Sequence, residues 1–242
     1  MSYLIANWPA PANISALTTT RLKGASLPPF DKNNLALHVD DNPLHVEQNR
    51  TDLIRDLSLP QAPAWLHQTH SNHCVIVEND SNRTADAAIT RSIHHPLAIM
   101  TADCLPILLC NKQGTEIAAI HAGWRGLLNG IVENTINKMN SPANNLISWI
   151  GPAICHRCYQ TGNDVMDAYI KRYPFTTSAF YKAESRLHAD LPKLAELILT
   201  NLGVSSTHQS QACTFEQENE FFSYRKRAQT GRIATLIWFN QL

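Results

Sequence analysis

The sequence lacks an excess of charge of either sign, with 20 Lys and Arg against 20 Asp and Glu across 242 residues. No net field draws such a chain onto nucleic acid or an anionic membrane, so any phosphate-bearing ligand has to be held locally. Long apolar runs are missing too. Polar residues interrupt each one well short of membrane-spanning length, and the start Met1-Ser2-Tyr3-Leu4-Ile5 carries no basic residue. The expectation is a cytoplasmic protein with no membrane and no nucleic-acid partner. Six cysteines are too few for a disulfide scaffold in a chain this long, so reduced thiols are expected, free to act as ligands. The absence of a fixed-period repeat, a low-complexity block or a Gly/Ser linker predicts a single domain over residues 1–242.

The 44% apolar content is ample for a buried core. Asp41 or Asn42 can cap a helix with Pro43 in its first turn, and Val46, Arg50, Leu53, Ile54 and Leu57 then recur at helical spacing. Residues 74–77, 97–100, 107–110 and 117–120 read as strands, the last two turning through Asn111-Lys112-Gln113-Gly114 as a buried hairpin. After Gly123 and Gly126 the period changes, because Leu128, Ile131, Val132, Ile136 and Met139 share one helical face, predicting a helix over 127–139. A strand at 146–150, helices at 165–173 and 191–202, the latter capped by Asp190 and stopped by Gly203, and a strand at 233–239 complete the pattern. The fold class is therefore α/β, a mixed α+β arrangement with a partly antiparallel sheet flanked by helices.

Three segments set a metal-ligand side chain at a strand end beside small or turn-forming residues: Gln68-Thr69-His70-Ser71-Asn72, Thr101-Ala102-Asp103-Cys104-Leu105-Pro106 and His121-Ala122-Gly123-Trp124-Arg125-Gly126. Structural zinc sites draw paired ligands from short loops, whereas separations of 34 and 17 residues bring single ligands from separate elements. Three protein ligands leave a fourth position for water, as in catalytic zinc sites. A lone His or Cys beside an apolar strand also serves as core packing.

In an extended segment His67 and His73 face away from His70, and Ser71-Asn72 can turn the chain at His70, although residue type alone does not separate His67 from His70. Cys155-His156-Arg157-Cys158 is half a zinc knuckle, but no second Cys-x-x-Cys exists, and a loop after Gly151-Pro152 is the reading adopted. Arg125 beside Gly126 at a helix start suits a phosphate. Arg225-Lys226-Arg227 with Arg232 reads as a solvated face.

Taken in order, these motifs resemble the laccase-domain or multicopper polyphenol oxidase family, now regarded as purine nucleoside phosphorylases. The match runs from Arg21 and Asn34-Leu35-Ala36-Leu37-His38-Val39 through Asn49-Arg50, His67-Gln68-Thr69-His70, Ala85-Asp86-Ala87, Thr101-Ala102-Asp103-Cys104-Leu105-Pro106 and His121-Ala122-Gly123-Trp124-Arg125-Gly126. It continues through Gly151-Pro152-Ala153-Ile154, Cys213-Thr214, Phe222-Ser223-Tyr224-Arg225 and Thr230-Gly231-Arg232. The resemblance implies one zinc per chain on His70, Cys104 and His121, residues that are also the catalytic centre, with Asp103 as a candidate acid, base or orienter of the metal. It implies phosphorolysis of adenosine, inosine, guanosine and S-methyl-5'-thioadenosine, and deamination of adenosine, with purine nucleosides and phosphate as small-molecule partners and no obligate protein partner. Arg50, Arg125 and the amides after Gly123 are candidates for phosphate, with Ser71 at the rim of the site. Ser71, Asp40 and Cys155-His156 depart from the family pattern, at positions where a glycine, a glycine and Gly-Pro are usual, so the rim is where substrate preference would differ.

Two alternatives stand beside this. Copper could occupy the same three ligands and act as a polyphenol oxidase, since copper outranks zinc in raw affinity, although the chain has no His-x-His pair of the kind that bridges the coppers of laccases. Cys104 could instead be a thiolate nucleophile with His121 as base and no metal, as in cysteine hydrolases, and the resemblance implies for such a hydrolase a peptidoglycan-precursor editing role.

Overall fold

The computed structural model describes residues 2–240; Met1 of the N-terminal stretch lies outside them. Two sheets lie face to face. An antiparallel sheet runs in the order β1 (Tyr3–Ile5), β2 (Ile14–Thr19), β12 (Ile233–Phe239), β5 (Leu97–Thr101). A six-stranded sheet runs β11 (Ser206–Gln209), β8 (Leu146–Ile150), β6 (Leu105–Asn111), β7 (Ile117–Ala122), β4 (Ala87–Thr90), β3 (Cys74–Ile76). Its central pairings are antiparallel and its two edge strands are parallel to their neighbours. The expected hairpin is β6 and β7, and the expected mixed, partly antiparallel character is observed in the six-stranded sheet, which faces a wholly antiparallel one.

The strands read as continuous apolar runs because both faces are covered. Leu108, Cys110, Ile117 and Ala119 meet Leu97, Ile99 and Ile237 of the facing sheet. The alternate residues Leu105, Ile107, Leu109, Ala118 and Ile120 point the other way, into a core with Ile131, Val132, Leu194 and Ile198. On the outer face of the four-stranded sheet, Leu53 packs against Leu17, Leu35, Ala98 and Leu236. That residue belongs to α1 (Pro43–Asp56), whose N-cap is Asn42: its side chain accepts from the Leu44 amide at 3.0 Å, while Asp41 turns away to accept from Asn34. The layer order is helix, sheet, sheet, helices.

The helix expected over 127–139 is two helices, α2 (Trp124–Leu128) and α3 (Ile131–Lys138). Gly130 lies between them at φ +90°, a conformation closed to most side chains, so periodicity alone ran across a break that the glycine permits. The helices α4 (Asn163–Arg172) and α5 (Leu191–Asn201) follow the expected spans closely, with Asp190 accepting from the Lys193 amide and Gly203 at φ +96° beyond the end of α5. The strands β9 (Phe180–Ala183) and β10 (Arg186–Ala189), with β1, β4 and β11, are only three or four residues each, and β2, with polar Ser15, Thr18 and Thr19 among its six, lacks a continuous apolar run. No helix among the described residues is long and apolar enough to cross a membrane.

Leu108 is wholly buried between the sheets. Leu108→Ala is expected to lower unfolding free energy by roughly 2–5 kcal/mol, because both sheets would have to collapse toward the void. Chemical denaturation checks this, and metal content should be unchanged.

Candidate metal centre

The chain passes from one sheet to the other between Thr101, the last residue of β5, and Leu105, the first of β6. Asp103 sits in this crossing at φ +83°. Its carboxylate accepts from Thr214 Oγ1 at 2.7 Å, Ser223 Oγ at 3.0 Å and the Arg225 amide at 2.6 Å. Three donors thus hold the bend that delivers Cys104. The pairing of Leu105 with Ala122 and of Pro106 with His121 then sets Cys104 beside the end of β7, which carries His121. The third side chain, His70, comes from the loop before β3 and has φ +60°, a departure from extended geometry that histidine tolerates better than β-branched residues.

The ligand atoms of His70, Cys104 and His121 lie within 4.8 Å of one another. Cys104 Sγ is 3.7 Å from His70 Nε2, and the two imidazole rings stand edge to face with centroids 4.7 Å apart. His67 and His73 do not join this group. Gly123 is required for the close approach: a Cβ there would lie 2.8 Å from His70 Cδ2 and 3.1 Å from Cys104 Sγ.

One carboxylate holds two of the three ligands. Asp86, fully buried just before β4, accepts from His121 Nδ1 at 2.7 Å. It also accepts from the backbone amides of Thr69, His70 and Ser71 at 3.2, 3.0 and 2.6 Å and from Ser71 Oγ at 2.6 Å. The first bond leaves His121 Nε2 for a metal, and the others shape the loop that presents His70. Gln68 fastens the same loop to β5, donating to the Met100 carbonyl at 2.8 Å and accepting from its amide at 2.9 Å.

Electrostatics follow from this arrangement. Burial opposes ionisation of Cys104, but hydrogen bonds and charge from His121 and His70 outweigh it and bring the thiol down to about 6. Burial likewise opposes charge on His121, yet Asp86 and Cys104 raise it to about 9. Asp86, despite burial, is held down to about 2 by His121 and Ser71. A thiolate and two imidazole nitrogens around one point are the donor set that a borderline-soft divalent cation takes, so these residues fit a zinc or copper ion.

Beside the triad opens a cleft of about 350 Å³ lined in part by His38, Met100, Thr101, Tyr224 and Arg232. The buried Thr101 hydroxyl has no protein partner among the described residues. Arg232, read from sequence as part of a solvated face, is instead half-buried in this cleft, with Nη1 on the carbonyls of Thr230 and Gly231. Burial, and then the charge of Arg232, lower the His38 pKa, favouring the neutral ring.

The other candidates are placed differently. Arg50 donates to the Leu35 carbonyl at 2.9 and 2.7 Å and lies over Trp65, outside the cleft lining. Arg125 is exposed, stacked on Trp124. The Ser71 hydroxyl is engaged by Asp86, and the Asp103 carboxylate by its three donors, so both act as supports of the ligand loops. At Asp40, φ is +65°, the physical reason that a glycine suits that position. Asp86 entered the sequence reading only within the Ala85-Asp86-Ala87 motif and without a role, because its partners lie 15 to 35 residues away.

A family model described as multi-copper polyphenol oxidoreductase laccase matches residues 15–240. The chain belongs to that family. It is 39% identical over 237 residues to the purine nucleoside phosphorylase YfiH of Escherichia coli K12, covering 97% of this chain and 98% of that protein. It is 42% identical over 241 residues to a purine nucleoside phosphorylase of Pseudomonas aeruginosa, covering 98% of each. A crystal structure of a Neisseria meningitidis protein superimposes with a TM-score of 0.94 at 40% identity, covering 100% of both chains. The resemblance drawn from the motifs therefore holds over nearly the whole length.

Asp86→Asn is expected to weaken metal retention about 10- to 100-fold, since the orienting acceptor of His121 is lost. Competitive chelation measures this, and unchanged affinity would remove Asp86 from the role described. Gly123→Ala should also lower metal content, by driving His70 and Cys104 apart, with little change in thermal stability.

Proposed function

We propose that this protein is a zinc-dependent purine nucleoside phosphorylase acting on adenosine, inosine, guanosine and S-methyl-5'-thioadenosine, with adenosine deaminase activity. The observation that carries the reading is the opening of a nucleoside-sized cleft directly onto the His70, Cys104 and His121 donors. The names borne by the curated relatives support it. The proposal includes a single domain over residues 1–242, a cytoplasmic setting and no obligate protein partner.

When bound, zinc supplies Lewis-acid polarisation of an oxygen at its open position. The chain's own residues do the rest. Arg232 offers the cleft a guanidinium whose Nε and Nη2 can engage phosphate, and its partial burial strengthens that attraction relative to an exposed arginine such as Arg125. His38, held neutral, can accept or return a proton at its ring nitrogen as the base departs. Thr101 has a hydroxyl free for the nucleoside. In phosphorolysis a phosphate oxygen forms a bond to C1' of the ribose, and the C1'–N9 bond breaks with its electron pair leaving on the purine.

A second reading draws on the connected line Asp86, His121, Cys104, with a lowered thiol beside a raised imidazole, which is the arrangement of a metal-free cysteine nucleophile. Copper on the same ligands, with polyphenol oxidation, is the third.

Product analysis after incubation with adenosine separates these. Phosphate-dependent adenine, and inosine formed without phosphate, are expected from zinc-loaded protein, with both lost in Cys104→Ala and His121→Ala while circular dichroism stays native. Arg232→Ala should reduce phosphorolysis at least tenfold and spare deamination. Full turnover by chelated, metal-free protein that is abolished by thiol alkylation would favour the nucleophile, and phenol oxidation confined to copper-loaded protein the oxidase.

A further inference from the structure

A second group of metal-ligating side chains lies away from the cleft. Cys155, Cys158, Cys213 and Glu216 bring their sulfur and carboxylate atoms within 4.8 Å of one another. The sequence reading assigned Cys155-His156-Arg157-Cys158 to a loop for want of a second Cys-x-x-Cys. The missing half is Cys213-Thr214-Phe215-Glu216, the same two-residue spacing with a carboxylate as the second ligand. An isolated bridge between Ala153 and Cys213 brings the two loops together, with the Thr214 amide donating to the Ala153 carbonyl at 3.1 Å.

The group has the supporting bonds of a built site. The Cys155 and Glu216 amides donate to Cys213 Sγ at 3.3 and 3.5 Å. The Cys158 amide donates to the Cys155 carbonyl at 3.0 Å, closing the first loop into a turn. Arg157 grips the Glu216 carboxylate through Nε and Nη2 at 3.0 to 3.2 Å, while Glu216 Oε1 faces Cys155 Sγ at 3.7 Å and Cys158 Sγ at 3.6 Å. A ligating carboxylate is itself usually held by a hydrogen-bonding partner, the part that Arg157 plays for Glu216.

We propose that Cys155, Cys158, Cys213 and Glu216 form a second, structural zinc site, closed by four protein ligands and separate from the catalytic triad. Two ligands from each of two short loops is the structural pattern, in contrast to the open three-ligand centre. Its function is positional. The Ile154 amide donates to the Asp103 carbonyl at 3.1 Å and Thr214 Oγ1 to the Asp103 carboxylate, so both clamped loops grip the residue that precedes Cys104.

The test is zinc stoichiometry on protein purified without chelator, with thiol alkylation mapped by mass spectrometry. Two zinc ions per chain are expected in the unaltered protein, one in Cys104→Ala, which empties only the catalytic centre, and one in Cys158→Ser. Cys155 and Cys158, both partly exposed, should resist iodoacetamide until a chelator is added. This second readout needs no variant and holds even if Cys158→Ser folds poorly. A metal-free Cys104→Ala protein, a Cys155–Cys158 disulfide in the native protein, or alkylation at the same rate with and without chelator would each overturn the second site. None of these outcomes bears on whether the cleft acts on nucleosides.

Discussion

The site depends on a single buried anion. Asp86 is wholly buried, and six donors from two elements compensate for the lost hydration of its charge. Five of them belong to the loop that carries His70, and the sixth is the ring of His121. Neither ligand can move without unpairing part of the carboxylate. The candidate metal centre is therefore preorganised by the cost of leaving a buried charge unsatisfied.

Asp103 does the same for Cys104 by a different route. The crossing from the four-stranded to the six-stranded sheet is short, so the backbone has to turn through a left-handed residue there. Thr214, Ser223 and Arg225, all late in the chain, hold that turn. The proposed second zinc site fastens two of the same segments from outside. Ligand positions in this fold are thus determined by loops that meet at two aspartates, over a two-sheet core that supplies rigidity.

Legibility in the sequence followed interaction range. Helices α4 and α5 and the β6–β7 hairpin were readable because caps, period and turn residues act within a few positions. The break at Gly130 was not, since the flanking apolar residues keep helical spacing across it. His70, Cys104 and His121 were recognisable as strand-end ligands, although spacing alone did not separate His70 from His67; the left-handed turn at His70 and its bonds to Asp86 decide that. Arg232 was taken for surface because a run of basic residues lies nearby, and only folding separates it from them.

By itself the sequence determined the class of the chain, its family, the core-forming strands and the candidate donors Cys104 and His121, because each is written in residue type, local period or ordered motif. Tertiary structure alone decided that two sheets share the core, that Asp86 positions His70 and His121 while Asp103 holds the turn at Cys104, and that Cys213 and Glu216 lie beside the half-knuckle at Cys155. Those decisions rest on hydrogen bonds and packing between residues tens of positions apart. No local pattern encodes them, since it is the closing of the loops that brings the partners within reach.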